Sequence, residues 1–479
     1  MTHSPPSSYR VTLAVLAVAA CTFSLWQSLL VPALSDIQHE LHTSAVAVSW
    51  LITGQLLSTS VFTPISGRLG DMFGKKRVLI IVLLISGVGL LVAALGQTIE
   101  LLILGRVLQG VGGGIFPLGF GIIRDEFPPD RVAHGIGLLS SLLGIGGTLG
   151  TVIAGPVIEA WNYHALFWIP LVVIVAAVVA TWRLIPESPV RAPGRINWLA
   201  TILMSIGLTS ILVAISRAGD WGWGGTRTLV LIAFGAAVLV AWIWVELHSE
   251  VPLIDMRMMR IRGVWTTNLS AFMIGVGLYA SQFLIPRYVQ EPTSTGYGFG
   301  VSVVAAGLFL LPATIAQLCF GQLAGRLERR LGPRQPLLLG SMLCAVSFFL
   351  LAGLRGSAAE VCVATAIFGA GVALSFAALA TLIVGFVRQD QTGVANGMNA
   401  VLRTTGGAVG AQLAATILTA HTVSGDSPTA SGYTVAFGMC GLAGLIAVLA
   451  TLLIPTRPRA VTPVLVEDSP AAQSSTAIA

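Results

Sequence analysis

What this sequence lacks most is charge: only 10% of its 479 residues are Asp, Glu, Lys or Arg, against 55% that are hydrophobic. A soluble domain carries about 25% charged residues, so most of this surface does not face water. Cysteine is also scarce, with five (Cys21, Cys319, Cys344, Cys362, Cys440), all inside apolar runs. No pairing spacing and no histidine cluster accompanies them, so they read as small buried hydrophobes and not as disulfides or metal ligands. The seven histidines are scattered near the ends of apolar runs. There is no nucleophile–base set, no phosphate-binding glycine loop and no ATP-binding cassette, so no catalytic residue, cofactor or metal is expected, and any energy must come from a gradient. Polar stretches long enough for a separate soluble enzyme domain are missing too.

What is present is a series of apolar runs of about 20 residues, each long enough to cross a bilayer as a helix. They are too long and too uniform for barrel strands, which alternate over about ten residues. The runs lie near 11–34, 45–65, 78–95, 101–123, 132–158, 166–184, 197–215, 228–245, 264–285, 300–323, 337–354, 359–385, 393–419 and 433–454. The expected fold class is therefore an all-α polytopic membrane protein with 14 transmembrane helices. The first run is longer than a signal peptide's core and has no small-x-small cleavage site, so it counts as a span. With the N-terminus inside, 20 of the 26 Lys and Arg fall in inner segments, four in outer loops, and Arg106 and Arg403 within spans. That bias orients the chain, with both termini in the cytoplasm and the bundle in the inner (cytoplasmic) membrane. It also explains the net charge of +6 without a nucleic-acid partner.

An internal repeat divides the chain. Gly67-Arg68-Leu69-Gly70-Asp71-Met72-Phe73-Gly74 after the second span resembles Gly325-Arg326-Leu327-Glu328-Arg329-Arg330-Leu331-Gly332 after the tenth. Val132-Ala133-His134-Gly135 resembles Val394-Ala395-Asn396-Gly397 at nearly the same offset. Duplicated six-helix halves with two inserted spans follow: 1–185 and 263–455 as bundles, 186–262 as the inserted two-helix linker region, and 456–479 as a disordered cytoplasmic tail. Parallel repeats of this kind place a site at the midplane and alternate its access by rocking.

The segment from Gly67 to Arg77 resembles the loop signature between helices 2 and 3 of the major facilitator superfamily. Its glycines suit a tight turn. The resemblance implies a conformational latch made of Gly67, Arg68, Gly70, Asp71, Gly74, Lys75 and Arg77, with Asp71 pairing a basic neighbour or a helix N-terminus. The alternative is that the basic residues serve only as orientation anchors. In the fourth span, Arg106, Gln109, Gly110 and Gly112 match the superfamily's Arg-x-x-Gln-Gly-x-Gly pattern. A charge inside an apolar span must face a partner, the bundle interior or water. Arg106 is thus read either as an influence on proton transfer or as a structural group bonded to backbone carbonyls. The fifth span (Gly144, Gly146, Gly147, Gly150, Gly155, Pro156) resembles the antiporter motif of drug exporters, with Glu159 and Ala160 where a glycine pair is expected. Over its whole length the chain resembles the fourteen-helix drug:proton antiporters.

That resemblance implies export of an amphipathic small molecule, an antibiotic or secondary metabolite, in exchange for protons, by a monomer whose other partner is membrane lipid. One departure bears on coupling: Trp26 stands where those antiporters often carry an aspartate. The expected proton-coupling groups are then Glu159, Asp36 and Arg106. Glu159 is read equally as a wet end-cap beside Trp161 or His164. Candidate substrate contacts combine aromatic surface with polar tips: Trp26, Gln27, Trp50, Gln55, Gln109, Tyr279, Gln282 and Phe283. Asn396, Asn399 and Arg403 complete the set, sharing one helix face at i, i+3 and i+7. A lone arginine near mid-membrane favours neutral or anionic ligands. A passive facilitator or uptake carrier is the competing expectation, and a non-transporting membrane sensor a more distant one.

Overall fold

A computed structural model describes residues 8–30, 33–43, 45–187, 197–249, 252, 254–388, 391–421 and 428–455. The linker at 188–196 and the tail at 456–479 lie outside them. Lipid offers no hydrogen bonds, so an apolar run satisfies its backbone only by coiling on itself. The helices are α1 (Ser8–Leu29), α2 (Leu34–Glu40), α3 (Ala45–Phe73), α4 (Lys75–Leu95), α5 (Ile99–Gly110), α6 (Ile115–Glu126), α7 (Pro129–Ala160), α8 (Ala165–Leu184) and α9 (Trp198–Trp221). They continue as α10 (Thr226–His248), α11 (Met256–Met259), α12 (Arg262–Gln290), α13 (Val303–Leu308), α14 (Leu311–Leu331), α15 (Arg334–Gly353), α16 (Ala358–Phe386), α17 (Thr392–Ala420) and α18 (Ala430–Leu452). Among the described residues, 11 helices are long and apolar enough to cross a membrane.

Two large apolar cores organise the bundle. One joins residues of α1 to α8, among them Leu16, Trp26, Leu79, Ile115 and Phe167, with Ala380 and Val384 of α16. The other joins residues of α12 to α18, among them Ile274, Phe348, Leu379 and Tyr433, with residues of α9 to α11 such as Met204 and Trp242. Helix α9 packs on α3, α17 and α10. Beyond α9, helix α10 turns most of its surface outward, exposing Leu229, Val230, Phe234, Val240 and Trp244.

Three local features differ from the sequence reading. The first apolar run, expected to stay helical to residue 34, ends at Leu29 and is followed by the short α2. The fourth is interrupted by a 3-10 turn at Val111–Gly114. Close packing accounts for the interruption: a Cβ on Gly112 would lie 2.7 Å from the Trp26 ring, and one on Gly114 would strike Ser66. The two signature segments, expected as loops, are instead the last two turns of α3 and α14. Each helix stops only at the next glycine, Gly74 at φ 106° and Gly332 at φ 76°, conformations that favour a residue without Cβ.

The tightest seam is between α12 and α17. A Cβ on Gly275 would strike the Arg403 carbonyl, and those on Gly406 and Gly410 would strike the carbonyls of Phe272 and Val276. Such small-residue contacts let backbones approach closely where lipid gives no hydrophobic drive between helices. Gly406→Val should therefore destabilise the purified protein by about 1–3 kcal/mol, the range for overpacking. A lowered thermal midpoint checks it, with Gly438→Val as the silent control, since a Cβ there meets nothing within 4 Å.

Candidate functional site

The two groups of helices meet at the basic face of the bundle, where α3 ends and α17 begins. Backbone contact comes first: a Cβ on Gly393 would lie 2.6 Å from the Gly67 carbonyl, and one on Gly67 would strike the Gly393 carbonyl. Asp71, one turn beyond Gly67, is 1% exposed. Its Oδ2 accepts from the backbone N–H of Gly393 at 3.1 Å and of Val394 at 3.3 Å. These donors belong to the first turn of α17, where no carbonyl of that helix can reach them. An anion there also meets the positive end of the helix dipole. Lys75 Nζ lies 3.6 Å from Asp71 Oδ1 and 2.7 Å from Asp125 Oδ2, with all three side chains buried. The lysine stem fits because Gly121 leaves room; a Cβ there would sit 2.6 Å from Lys75 Cε.

Arg124, at the end of α6, makes the converse contact. It donates to the carbonyls of Val387 and Arg388 at 3.4 Å each and to the Thr392 hydroxyl. Those carbonyls follow the C-terminus of α16, the negative end of its dipole. Sequence reasoning counted Arg124 only as an orientation charge. Its one signal was the adjacent opposite pair Arg124-Asp125 at the end of an apolar run. The other latch residues differ in role. Gly70 makes room for Leu118. Arg77 meets Glu187 at 3.6 Å while 69% exposed, a pair worth little in water. Arg68 is partly buried, and its Nε lacks a hydrogen-bond partner.

Within the first group of helices, Arg106 is 1% exposed. It donates to the carbonyls of Leu51 and Trp26 at 3.0 Å each and to Gln109 Oε1 at 2.9 Å. Gln109 Nε2 in turn donates to the Gly89 carbonyl at 3.2 Å. This knot ties α1, α3, α4 and α5 together, with the Trp26 ring edge-on to Phe23 at 5.4 Å. The backbone-carbonyl arrangement weighed for Arg106 is the one the fold adopts.

Between the two groups lies a narrow cavity lined by Phe116, Pro117 and Phe120 of α6, Ser140 of α7, Phe376 and Ala380 of α16, and Asn396, Asn399, Ala400 and Arg403 of α17. Its free space is barely that of one water. The Arg403 guanidinium sits 4.5 Å over the Phe376 ring. Among the described residues, no carboxylate lies within ion-pair reach of it. Asn399 Nδ2 donates to Asn268 Oδ1 at 2.9 Å, and Asn396 Nδ2 to the Thr392 carbonyl at 3.1 Å. Asn268, Ser140 and Phe376 had not been singled out from the sequence.

Three of the expected substrate contacts, Asn396, Asn399 and Arg403, thus share this cavity. The rest stand elsewhere. Trp26, Gln55 and Gln109 are buried within the first group. Gln27 is half-buried, Gln282 exposed, and Trp50 lies under Arg217 at 5.4 Å. Tyr279 packs on Gly407, and Phe283 lies beneath Arg287. Asp36 and Glu159 stand on α2 and α7, but their side chains lie outside the described residues.

A helical membrane bundle of two packed groups, in contact at one face and with a cavity between them, has the architecture of a membrane transporter. The model of the Major Facilitator Superfamily matches residues 16–411 and 267–476, and the chain belongs to that family. Relatives include the lincomycin resistance protein LmrB of Listeria monocytogenes, 29% identical over 320 residues, covering 67% of each chain. The tetracenomycin C resistance and export protein of Streptomyces glaucescens is 27% identical over 418 residues, covering 85% of this chain and 76% of that one. The fold is shared with the human organic anion transporter MFSD10 (TM-score 0.66, 15% identity, 94% of this chain and 100% of that one). It is also shared with the proton:xylose symporter XylE (TM-score 0.68, 13% identity, 94% and 97%). The protein is a multi-pass membrane transporter.

Arg106→Met should remove three buried hydrogen bonds from a charged donor, at about 1.5–3 kcal/mol each. The SDS concentration that half-unfolds the protein should fall well below wild type. Arg106→Lys should fall between them, because an ammonium lacks the planar fork that bridges the three acceptors.

Proposed function

We propose that this transporter exports amphipathic small molecules across the cytoplasmic membrane in exchange for protons, by alternating access, as a monomer. The observation that carries the reading is the cavity between the two groups of helices, aromatic on α6 and α16, with Asn396, Asn399 and Arg403 on α17. Aromatic walls suit bulky apolar surface, and a few polar tips set orientation. Arg403 has no carboxylate partner among the described residues, which favours a neutral or anionic amphiphile over a strong cation. Relatives named for resistance and export support the direction.

In this reading the bundle has fourteen spans, the eleven apolar helices together with α3, α7 and α17. The halves are 1–185 and 263–455, joined by an inserted region at 186–262, and both termini are cytoplasmic. The basic face is then the cytoplasmic one, and the structure is closed there. From Thr392 to Met398 every residue of α17 is buried, as closure at that face requires. Each proton entering down 100 mV supplies about 2.3 kcal/mol, enough for a useful gradient of a neutral substrate. Glu159 and Asp36 are the coupling acids proposed, with Arg106 fixing the helices around them. A facilitator is the second reading, favoured by Trp26 where an acid is expected.

In cells loaded with a fluorescent amphiphile, a protonophore should raise accumulation to the level of cells lacking the protein. Arg403→Gln should slow export of an anionic amphiphile about tenfold more than of a neutral one, for a charged hydrogen bond worth about 1.5–3 kcal/mol. Export that ignores the protonophore, with Glu159→Gln fully active, would establish the facilitator instead.

A further inference from the structure

Glu328, in the last turn of α14, is one of several buried acids outside the contacts described above, with Glu246 and Glu291. We propose that Glu328 is a proton-binding site of the contact between α14 and α7: its carboxyl holds a proton while the two helices are closed and gives it up when they part.

Glu328 lies on the face of α14 that meets α7. Gly321, Gly325 and Glu328 follow i, i+4 and i+7 and so lie along one stripe of α14. That stripe faces α7. A Cβ on Gly325 would sit 2.9 Å from the His134 Cα, and one on Gly137 would sit 3.3 Å from the Gly321 carbonyl and 3.4 Å from the Ala377 Cβ of α16. Thr381, one turn beyond Ala377 on α16, presents its hydroxyl toward Glu328. Glu328 therefore stands where α14, α7 and α16 converge.

Glu328 is 5% exposed, and neither carboxyl oxygen has a hydrogen-bond partner; the Thr381 hydroxyl is likewise unsatisfied. A carboxylate ion buried with a single hydroxyl beside it and no cation in reach is far costlier than the neutral acid. Protonation removes the charge and creates an O–H that the Thr381 oxygen can accept. Asp71, at the corresponding end of α3, has two backbone N–H groups and Lys75 for its charge. In the internal repeat Glu328 falls opposite Gly70, not Asp71, so it is not the second copy of the same latch.

The arginines around this convergence favour ionisation once water enters. They are Arg326, Arg329 and Arg330 of α14 itself and Arg131 of α7, a helix that also carries His134 and Asp130, the side chain of Asp130 lying outside the described residues. Helix α16 brings only Thr381, its acid Glu360 standing at the opposite end. Arg334 of α15 is engaged by the carbonyls of Thr451 and Leu452. None of these cations lies within ion-pair reach of Glu328 among the described residues. When α14 leaves α7 the carboxyl meets water beside three arginines, and one proton passes to the aqueous side of the basic face. Reclosing takes one up. Closure is thus the proton-binding state, favoured at low pH and lost as pH rises. The inference goes beyond the export reading, because a facilitator with the same contact would show the same linkage.

The test uses the full-length chain in nanodiscs with spin labels at Arg131 on α7 and Leu331 on α14, its five native cysteines replaced. As pH rises from about 5 to 9, the wild type should move from a short to a long distance, with a tenfold change in the ratio per pH unit near the midpoint. Glu328→Gln, neutral at every pH, should keep the short distance throughout. A pH response in Glu328→Gln like that of the wild type would overturn the proposal. A second readout needs no loss of the acid: infrared difference spectra should show a protonated-carboxyl C=O band vanish as pH rises, and that band should shift in Glu328→Asp. A band that does not shift in that variant would also overturn it.

Discussion

Two charged side chains of one group of helices, Asp71 and Arg124, sit on helix ends of the other. Asp71 occupies the N-terminus of α17, where N–H groups have no carbonyl of their own, and Arg124 occupies the carbonyls just past the end of α16. Each side chain lies on one group of helices and each helix end on the other. Helix ends are suitable attachment points because their unsatisfied groups are fixed by the fold and carry the dipole's partial charge. The strength is moderate by design. Charge-assisted hydrogen bonds contribute about 1.5–3 kcal/mol each, enough to bias two arrangements without locking either.

The rest of the architecture serves this contact. Lys75, held between Asp71 and Asp125, neutralises two buried acids and keeps Asp71 pointed at α17. The Arg106 knot cross-links α1, α3, α4 and α5 through hydrogen bonds. On the other side, the glycine seam holds α12 and α17 of the second group in close contact. Two groups of helices in contact at one face, with a cavity between them, are the arrangement the proposed alternating access would use.

Much of this was legible in the chain. Apolar runs specify helices locally, and Asn396, Asn399 and Arg403 share a cavity because their spacing already placed them on one helix face. The pattern at Gly67–Gly74 marked out the segment that meets α17, though not its conformation: only Gly74 ends the helix, while Gly67 and Gly70 serve contacts with residues far away in sequence. For the same reason Arg124 was passed over, since its partners lie more than 260 residues on. Trp26 and Gln109 were recognisable as polar groups in apolar surroundings. Which side of the helix faced the cavity depended on the Arg106 knot, a tertiary arrangement. Glu328 was hidden among arginines that read as ordinary loop charge.

The central claim is that charge on helix ends sets the balance between a closed and an open basic face. Spin labels at Phe73, exposed at the end of α3, and at Gly385, where an added side chain meets nothing within 4 Å, span that contact. In nanodiscs the wild type should show a dominant short distance and a minor long one. Combining Asp71→Asn with Arg124→Gln should make the long distance dominant. A single distance that the double variant leaves unchanged would contradict the account.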